Sequence, residues 1–227
     1  LCQLDSTYLE ALLKYQALLK QRNSLLKCYR DTGQLDRDLL ATYDQQLLPL
    51  CQTIFTARNR FIQDFVPLFQ QHYQYFVSAA EVVQLCYTSA VASPDFAQRF
   101  YDSLPQDLAL QRTTQGTHRD DIQFVLNGYD LKRIGSQGQQ KSFVVALRLA
   151  QFDCMHQLLA RKPLLLLDDI FDKLDDKRID KLVQLMAQQH FGQVFITDAK
   201  GATSAALMQH GSAEQALIHI DQGKWIP

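Results

Sequence analysis

Four consecutive leucines, Leu164 to Leu167, run directly into two aspartates, Asp168 and Asp169. A short apolar run with Pro163 before it and acids after it predicts a strand packed on both faces that ends at a polar edge. This constrains the fold most, because such a strand needs a covering layer on each side. The neighbouring sequence supplies candidates: a helix from about Gly138 to Leu159, a helix over 175–189, a strand over 193–197, and a last strand over 216–221 that turns at Gln222-Gly223. Strands alternating with helices predict an α/β fold with a largely parallel sheet and covered faces.

Upstream of Gly116 the pattern is helical. Leu4, Tyr8, Leu12, Tyr15, Leu18/Leu19 and Leu25/Leu26 recur at the three- and four-residue steps of one helix face, and Gly33 is placed to end that helix. A second helix is predicted from about Asp36 into the sixties, with Pro49 able to bend it and Pro67 able to start or kink a third piece reaching Val77. Together these predict an antiparallel helical arm, whose reach at forty residues is only about 60 Å. Residues 81–88 read as a strand, and Ser93-Pro94-Asp95 as the start of a helix with Ser93 as its cap. Gln106 to Gln115 has no decisive pattern. Ile122–Leu126, Asn127-Gly128 and Tyr129–Ile134 form a hairpin signal, since Asn-Gly is a favoured two-residue turn. The expected organisation is a helical lobe over 1–115, with a short strand near 81–88, and an α/β part over 116–227.

Bulk properties narrow the function classes. The chain has 227 residues, 47% of them hydrophobic, and a net charge of −1. Residues 1–115 carry 10 Lys/Arg against 11 Asp/Glu and residues 116–227 carry 13 against 13, so any contact with nucleic acid must come from a local patch. Cys2, Cys28, Cys51, Cys86 and Cys154 are scattered, with no Cys-x-x-Cys, which reads as reduced thiols of a cytoplasmic protein and not as a disulfide framework or zinc site. No apolar run approaches the roughly 18 residues of a membrane span. No signal peptide is apparent, and the start at Leu1 reads as a piece of a longer protein whose upstream part is missing.

The chemistry concentrates between residues 136 and 198. In open α/β sheets the C-terminal strand ends face the ligand crevice. Two adjacent acids there suit a division of labour, with Asp168 holding Mg²⁺ and Asp169 orienting or deprotonating a water. The plainer alternative is a strand ending in solvated acids. Ser136-Gln137-Gly138-Gln139-Gln140 opens a helix, where backbone N–H groups attract anions and Gly138 admits a phosphate close to the backbone; the plainer alternative is an ordinary serine cap. Gly135 to Ser142 mimics G-x-x-x-x-G-K-[ST], but Gln140 stands where the loop needs glycine, so the sequence contains no phosphate-wrapping loop. The order is more specific than its parts. A Ser-x-Gly-Gln helix start, an apolar strand with Asp-Asp, and then Leu174-Asp175 resembles an ABC-type ATPase head. The elements correspond to its signature, its Walker B acids and its D-loop, and Thr197-Asp198 occupies the switch position. Many such proteins carry histidine where this chain has Asp198.

Within that class the chain resembles the RecF family along nearly its whole length. Gly116-Thr-His-Arg-Asp-Asp121 is similar to the family's Gly-Pro-His-Arg-Asp-Asp segment, with Thr117 replacing proline. Ser136-Gln-Gly-Gln-Gln-Lys141 resembles its signature, Leu165 to Asp175 its Walker B and D-loop, and Lys20-Gln-Arg-Asn23 a segment of its helical lobe. The resemblance implies the C-terminal half of an ABC-type head with a helical second lobe, the phosphate loop lying upstream. It further implies a homodimer that closes on ATP, binds gapped, single- or double-stranded DNA, and works with RecR and RecO to load recombinase at single-strand gaps. By position, Asp168 would hold Mg²⁺ and Asp169 would serve the attacking water. Ser136, Gln137, Gly138, Gln139 and Gln140 would meet the γ-phosphate of the partner's ATP. Thr197 would line the site and Asp175 would couple the half-sites. The complete protein would be a slow DNA-dependent ATPase and this piece alone inactive. His118 and Arg119 could act near nucleotide or DNA, or form a structural pair; Lys132-Arg133 and Arg161-Lys162 could touch phosphate or be solvated charge. Two rivals remain: an SMC-like head, disfavoured by the short arm, and a helical scaffold whose degenerate head binds no nucleotide.

Overall fold

The computed structural model describes residues 1–77, 81–169, 174–187, 191–197 and 216–226. Two long helices open the chain. Helix α1, Ser6–Thr32, starts where Asp5 accepts from the Tyr8 amide and ends at Gly33 in the left-handed region, as the spacing of its apolar residues predicts. Helix α2, Arg37–Phe76, runs for 40 residues through Pro49 and Pro67. The third helical piece expected at Pro67 is therefore a continuation of α2. Loss of one amide donor does not end a helix whose other bonds and apolar face persist.

Contact divides the chain into two compact units, Leu1–Val66 with Leu85–Phe124, and Pro67–Gln84 with Val125–Pro227. Pro67 thus marks a unit boundary without marking a helix end. Strand β1 is Val83–Thr88, followed by a 3₁₀ turn at Ala90–Ala92 and helices α3, Phe96–Asp102, and α4, Leu104–Leu110. Ser93 does not cap α3. It closes the 3₁₀ turn, and Asp95 takes the cap position, because Pro94 and Asp95 intervene before helical geometry begins.

In the first unit Tyr8, Ala11, Tyr15, Leu47, Cys51, Ile54, Val91, Phe96 and Phe100 form one buried cluster. A charged group lies inside this unit. Arg22 donates through Nε to Asp44 at 2.6 Å and through a terminal nitrogen to Asp107 at 2.6 Å and Thr113 at 2.9 Å. The guanidinium also sits 4.9 Å over the Phe100 ring. Asn23 accepts from the Thr113 amide and hydroxyl at 2.7 and 2.8 Å. The Lys20–Asn23 segment therefore contributes a buried structural network.

The second unit holds strand β2's end and the remaining elements. Strand β2, Asp121–Leu126, pairs antiparallel with β3, Tyr129–Asp130, with Leu126 opposite Tyr129. Asn127 and Gly128 between them have φ +49° and +83°, the double left-handed turn that Asn-Gly favours. The second strand is shorter than predicted, because the Asp130 carboxylate accepts from the Lys132 amide and starts helix α5, Leu131–Ile134. Helix α6, Gln137–Leu159, strand β4, Leu165–Leu167, helix α7, Asp176–Ala187, and strand β5, Val194–Ile196, follow in the expected order. The last pair is β6, His219–Asp221, with β7, Lys224–Ile226, turning at Gln222-Gly223.

Among the described residues only β4 and β5 pair in parallel, with Leu166 opposite Phe195. Their packing corrects the expectation of a strand buried on both faces. Leu165 and Leu167 lie in the core with Val145, Leu149, Phe152, Leu182 and Phe191, whereas Leu164 and Leu166 are 62% and 67% exposed. Helix α6 supplies one covering layer, and no described element covers the other face. The five cysteines are free thiols, and no described helix is long and apolar enough to cross a membrane.

Candidate functional site

The site is built at the start of α6. A side-chain carbon at Gly135 would lie 2.7 Å from the Leu131 carbonyl oxygen and 2.8 Å from its Cδ1, so glycine is what lets α5 close tightly onto α6. Ser136 then caps the helix. Its Oγ accepts from the Gln139 amide at 3.2 Å, and Gln139 Oε1 accepts from the Ser136 amide at 2.9 Å. This reciprocal box satisfies two donors the helix start would otherwise leave free. The capping bond uses an oxygen lone pair and leaves the serine hydroxyl able to donate to an anion.

Three further contacts fix this tip. Gln140 Nε2 donates to the Gly135 carbonyl at 2.8 Å. Ser142 Oγ donates back to the Gly138 carbonyl at 2.9 Å. Gln139 Nε2 donates to Glu81 at 3.1 Å, and the other Glu81 oxygen accepts from the Tyr73 hydroxyl at 2.6 Å. Burial first, and then its bond to Glu81, push the Tyr73 hydroxyl up from its ordinary pKa, so it stays a donor. Ser136 and Gln137 are exposed, and Gly138, Gln139 and Gln140 are half-buried.

Strand β4 carries the acids to the same edge. The Thr197 amide donates to the Leu167 carbonyl at 3.0 Å, continuing the β4–β5 ladder one step. That places the Thr197 hydroxyl between the acids: it donates to the Asp168 carboxylate and accepts from the Asp169 amide at 3.0 Å. Asp169 itself sits at φ +50°, a backbone region that non-glycine residues occupy sparingly. Its carbonyl accepts from Lys141 Nζ at 2.7 Å. Lys141 lies five residues beyond Ser136, so one side chain ties the start of α6 to the end of β4. Asp168, Asp169 and Thr197 are all exposed.

Asp175 lies just before α7, where it accepts from the Arg178 amide at 2.9 Å and pairs with the Arg178 guanidinium at 3.3 Å. No described hydrogen bond joins it to the acids. Asp198 lies outside the described residues, as do 170–173. Three participants escaped the sequence reading: Lys141, Glu81 and Tyr73. Lys141 stands inside the motif and could have been flagged. Glu81 carries no such signal, because 58 positions separate it from Gln139.

The Gly116–Asp121 segment belongs to the first unit. Gly116 has φ +129°, and a side-chain carbon there would come within 2.5 Å of the Tyr15 hydroxyl. His118 Nδ1 bonds the Tyr15 hydroxyl at 2.6 Å and Nε2 the Thr113 carbonyl at 3.0 Å. Asp120 accepts from Arg58 at 2.7 Å and from the Tyr87 hydroxyl at 2.6 Å. With both ring nitrogens engaged inside its own unit, the structural reading of His118 is the better supported.

No family model matches the chain. Whole-protein comparisons do. The DNA replication and repair protein RecF of Cytophaga hutchinsonii is 42% identical over 222 residues, covering 98% of this chain and 59% of that protein. The protein of the same name from Flavobacterium johnsoniae is 41% identical over 207 residues, covering 91% and 58%. Among solved structures, the recombination mediator protein RecF with ATPrS, of the RecFOR pathway, superposes with a TM-score of 0.79 at 25% identity over 98% of this chain and 59% of that one. RecF with ATP gives 0.75 at 28% identity over 88% and 55%. The chain thus spans less than two thirds of the length of the relatives it matches. Identity of this level along nearly the whole sequence, on the α/β architecture of an ABC-type head, places it plainly: the chain belongs to the RecF family.

Proposed function

We propose that the complete protein is an ATP-switched DNA-binding protein of recombinational repair, and that this chain supplies the half of its nucleotide site that reaches across a dimer. The observation that carries the reading is the shared edge: a serine-capped helix start and two strand-end acids, exposed together and joined by Lys141. The helix start offers backbone amides, the Ser136 hydroxyl and the close backbone approach at Gly138 to a terminal phosphate. Asp168, with the Thr197 hydroxyl beside it, is a hard oxygen donor set of the kind Mg²⁺ takes while keeping several waters. The metal would neutralise phosphate charge. Asp169 would accept a proton from the water that attacks the γ-phosphate, and the bond to the departing diphosphate would break. Asp175 would link the two half-sites. Names of the relatives support a role in DNA replication and repair; the RecFOR pathway of the solved relative supports RecR and RecO as partners in recombinase loading.

The test uses the protein at full family length. Ser136→Arg crowds the phosphate seat and should abolish ATP-dependent dimerisation in sedimentation and DNA retention in a filter assay. Asp169→Asn should keep both and lower ATP turnover by about 100-fold or more, the usual loss for a general base. Unchanged dimerisation and DNA binding in Ser136→Arg, with unchanged turnover in Asp169→Asn, would leave the scaffold alternative standing instead.

A further inference from the structure

The backbone of Asp169 is gripped from two sides. Its amide donates to Thr197 Oγ on the β5 side at 3.0 Å, and its carbonyl accepts from Lys141 Nζ on α6 at 2.7 Å. Between these bonds the residue holds φ +50°. Such a conformation is disfavoured for a residue with a side chain, so something must hold it. Only the lysine bond comes from the helix whose tip is formed by Ser136 to Gln140. Lys141 follows directly on those residues, and its side chain lies outside the capping box and outside the Glu81 contact.

We infer that Lys141 is a positioning residue: it sets the Asp169 backbone, and through it the direction of the carboxylate, according to where the tip of α6 stands. The inference rests on the reading of the site given above. A tip seated against a partner's triphosphate would then align this subunit's own acid, so that occupancy at one half-site governs hydrolysis at the other. Lys141 needs no contact with nucleotide for this. Its ammonium is a point donor to a carbonyl, a task arginine can share through one N–H and methionine cannot perform at all.

The full-length protein decides the matter through Lys141→Met, Lys141→Arg and Asp169→Asn, measured side by side. Lys141→Met should lower kcat about tenfold, leave KM for ATP, ATP-dependent dimerisation and DNA retention at wild-type values, and leave the Tm unmoved. Lys141→Arg should recover most of kcat. Wild-type kcat in Lys141→Met beside a crippled Asp169→Asn would overturn the role of Lys141 and leave the site assignment intact. Wild-type kcat in both would remove the site assignment and the inference with it. A Lys141→Met defect in KM or dimerisation equal to its defect in kcat, or no recovery with arginine, would make the lysine a binding or folding residue and overturn the proposal.

Discussion

Polar groups are handled in opposite ways in the two units. In the first, Arg22, Asp44, Asp107 and Thr113 are buried and answer one another. Asp107 uses both oxygens, one for Arg22 and one for the Thr114 amide and hydroxyl. Burial still holds the Asp44 carboxyl above the usual carboxylate range, even with Arg22 drawing it down. In the second, Asp168, Asp169 and Thr197 bond one another at an exposed strand end that Lys141 ties to the helix capped by the exposed Ser136, with capacity to bond something more. A closed network fixes a structure; an open one keeps lone pairs and donors available to water or a ligand. The difference separates satisfied from open polar groups without any appeal to residue type, since aspartates dominate both.

The largest expected effect breaks that comparison in the first unit. Arg22→Met leaves two carboxylates buried without their cation, and removing one partner of a buried ionic group costs about 3–5 kcal/mol. The matching change at the exposed edge, Asp169→Asn, should move stability by less than about 0.5 kcal/mol. Urea titration followed by far-UV circular dichroism checks both. Equal shifts for the two variants would erase the distinction between a closed network and an open one.

The same contrast explains what could be read in advance. The Asn127-Gly128 turn and the order of elements from Gln137 to Ile196 were legible, because hairpin turn, serine cap and apolar strand are each written in adjacent residues, whereas helix α5 was not, since a strand was expected to run on to Ile134. The Ser136 cap and the place of Asp168 and Asp169 just past the strand were legible for the same reason. The exposure of Leu164 and Leu166 was not, since a run of four leucines records hydrophobicity but not which face has a neighbour. Nor was Arg22 legible as a core residue, because its partners lie 22, 85 and 91 positions away. Lys141 sat inside the motif, yet its partner is a backbone carbonyl, which no side-chain pattern announces.

An intermediate effect sharpens the comparison within the second unit. Ser136→Ala removes one arm of the capping box, which costs about 1 kcal/mol. It also removes the hydroxyl offered to phosphate. Ser136→Asp restores the cap but brings a negative charge to the phosphate seat. If Ser136 does more than cap, the aspartate variant regains the urea midpoint lost by alanine while ATP-dependent dimerisation stays impaired. Recovery of both by aspartate would reduce Ser136 to a cap.

The smallest expected effect concerns pH and returns to the first unit. The Thr113 carbonyl can only accept, so His118 Nε2 carries the ring proton, and Nδ1 accepts from the Tyr15 hydroxyl. Desolvation by its surroundings lowers the His118 pKa, the Thr113 bond opposes this, and Arg119 nearby adds to the lowering. The unfolded chain therefore binds a proton that the folded chain refuses. Stability is at its full value above the ordinary histidine pKa of about 6.5 and falls as pH drops below it, toward the lower folded pKa. The ring keeps an exposed edge in water, which limits the loss. His118→Asn retains a side-chain donor and removes the titration, so its urea midpoint should be flatter than wild type between about pH 7 and pH 5. Parallel pH profiles for the two proteins would assign the loss to other groups and free His118 for a role beyond its own unit.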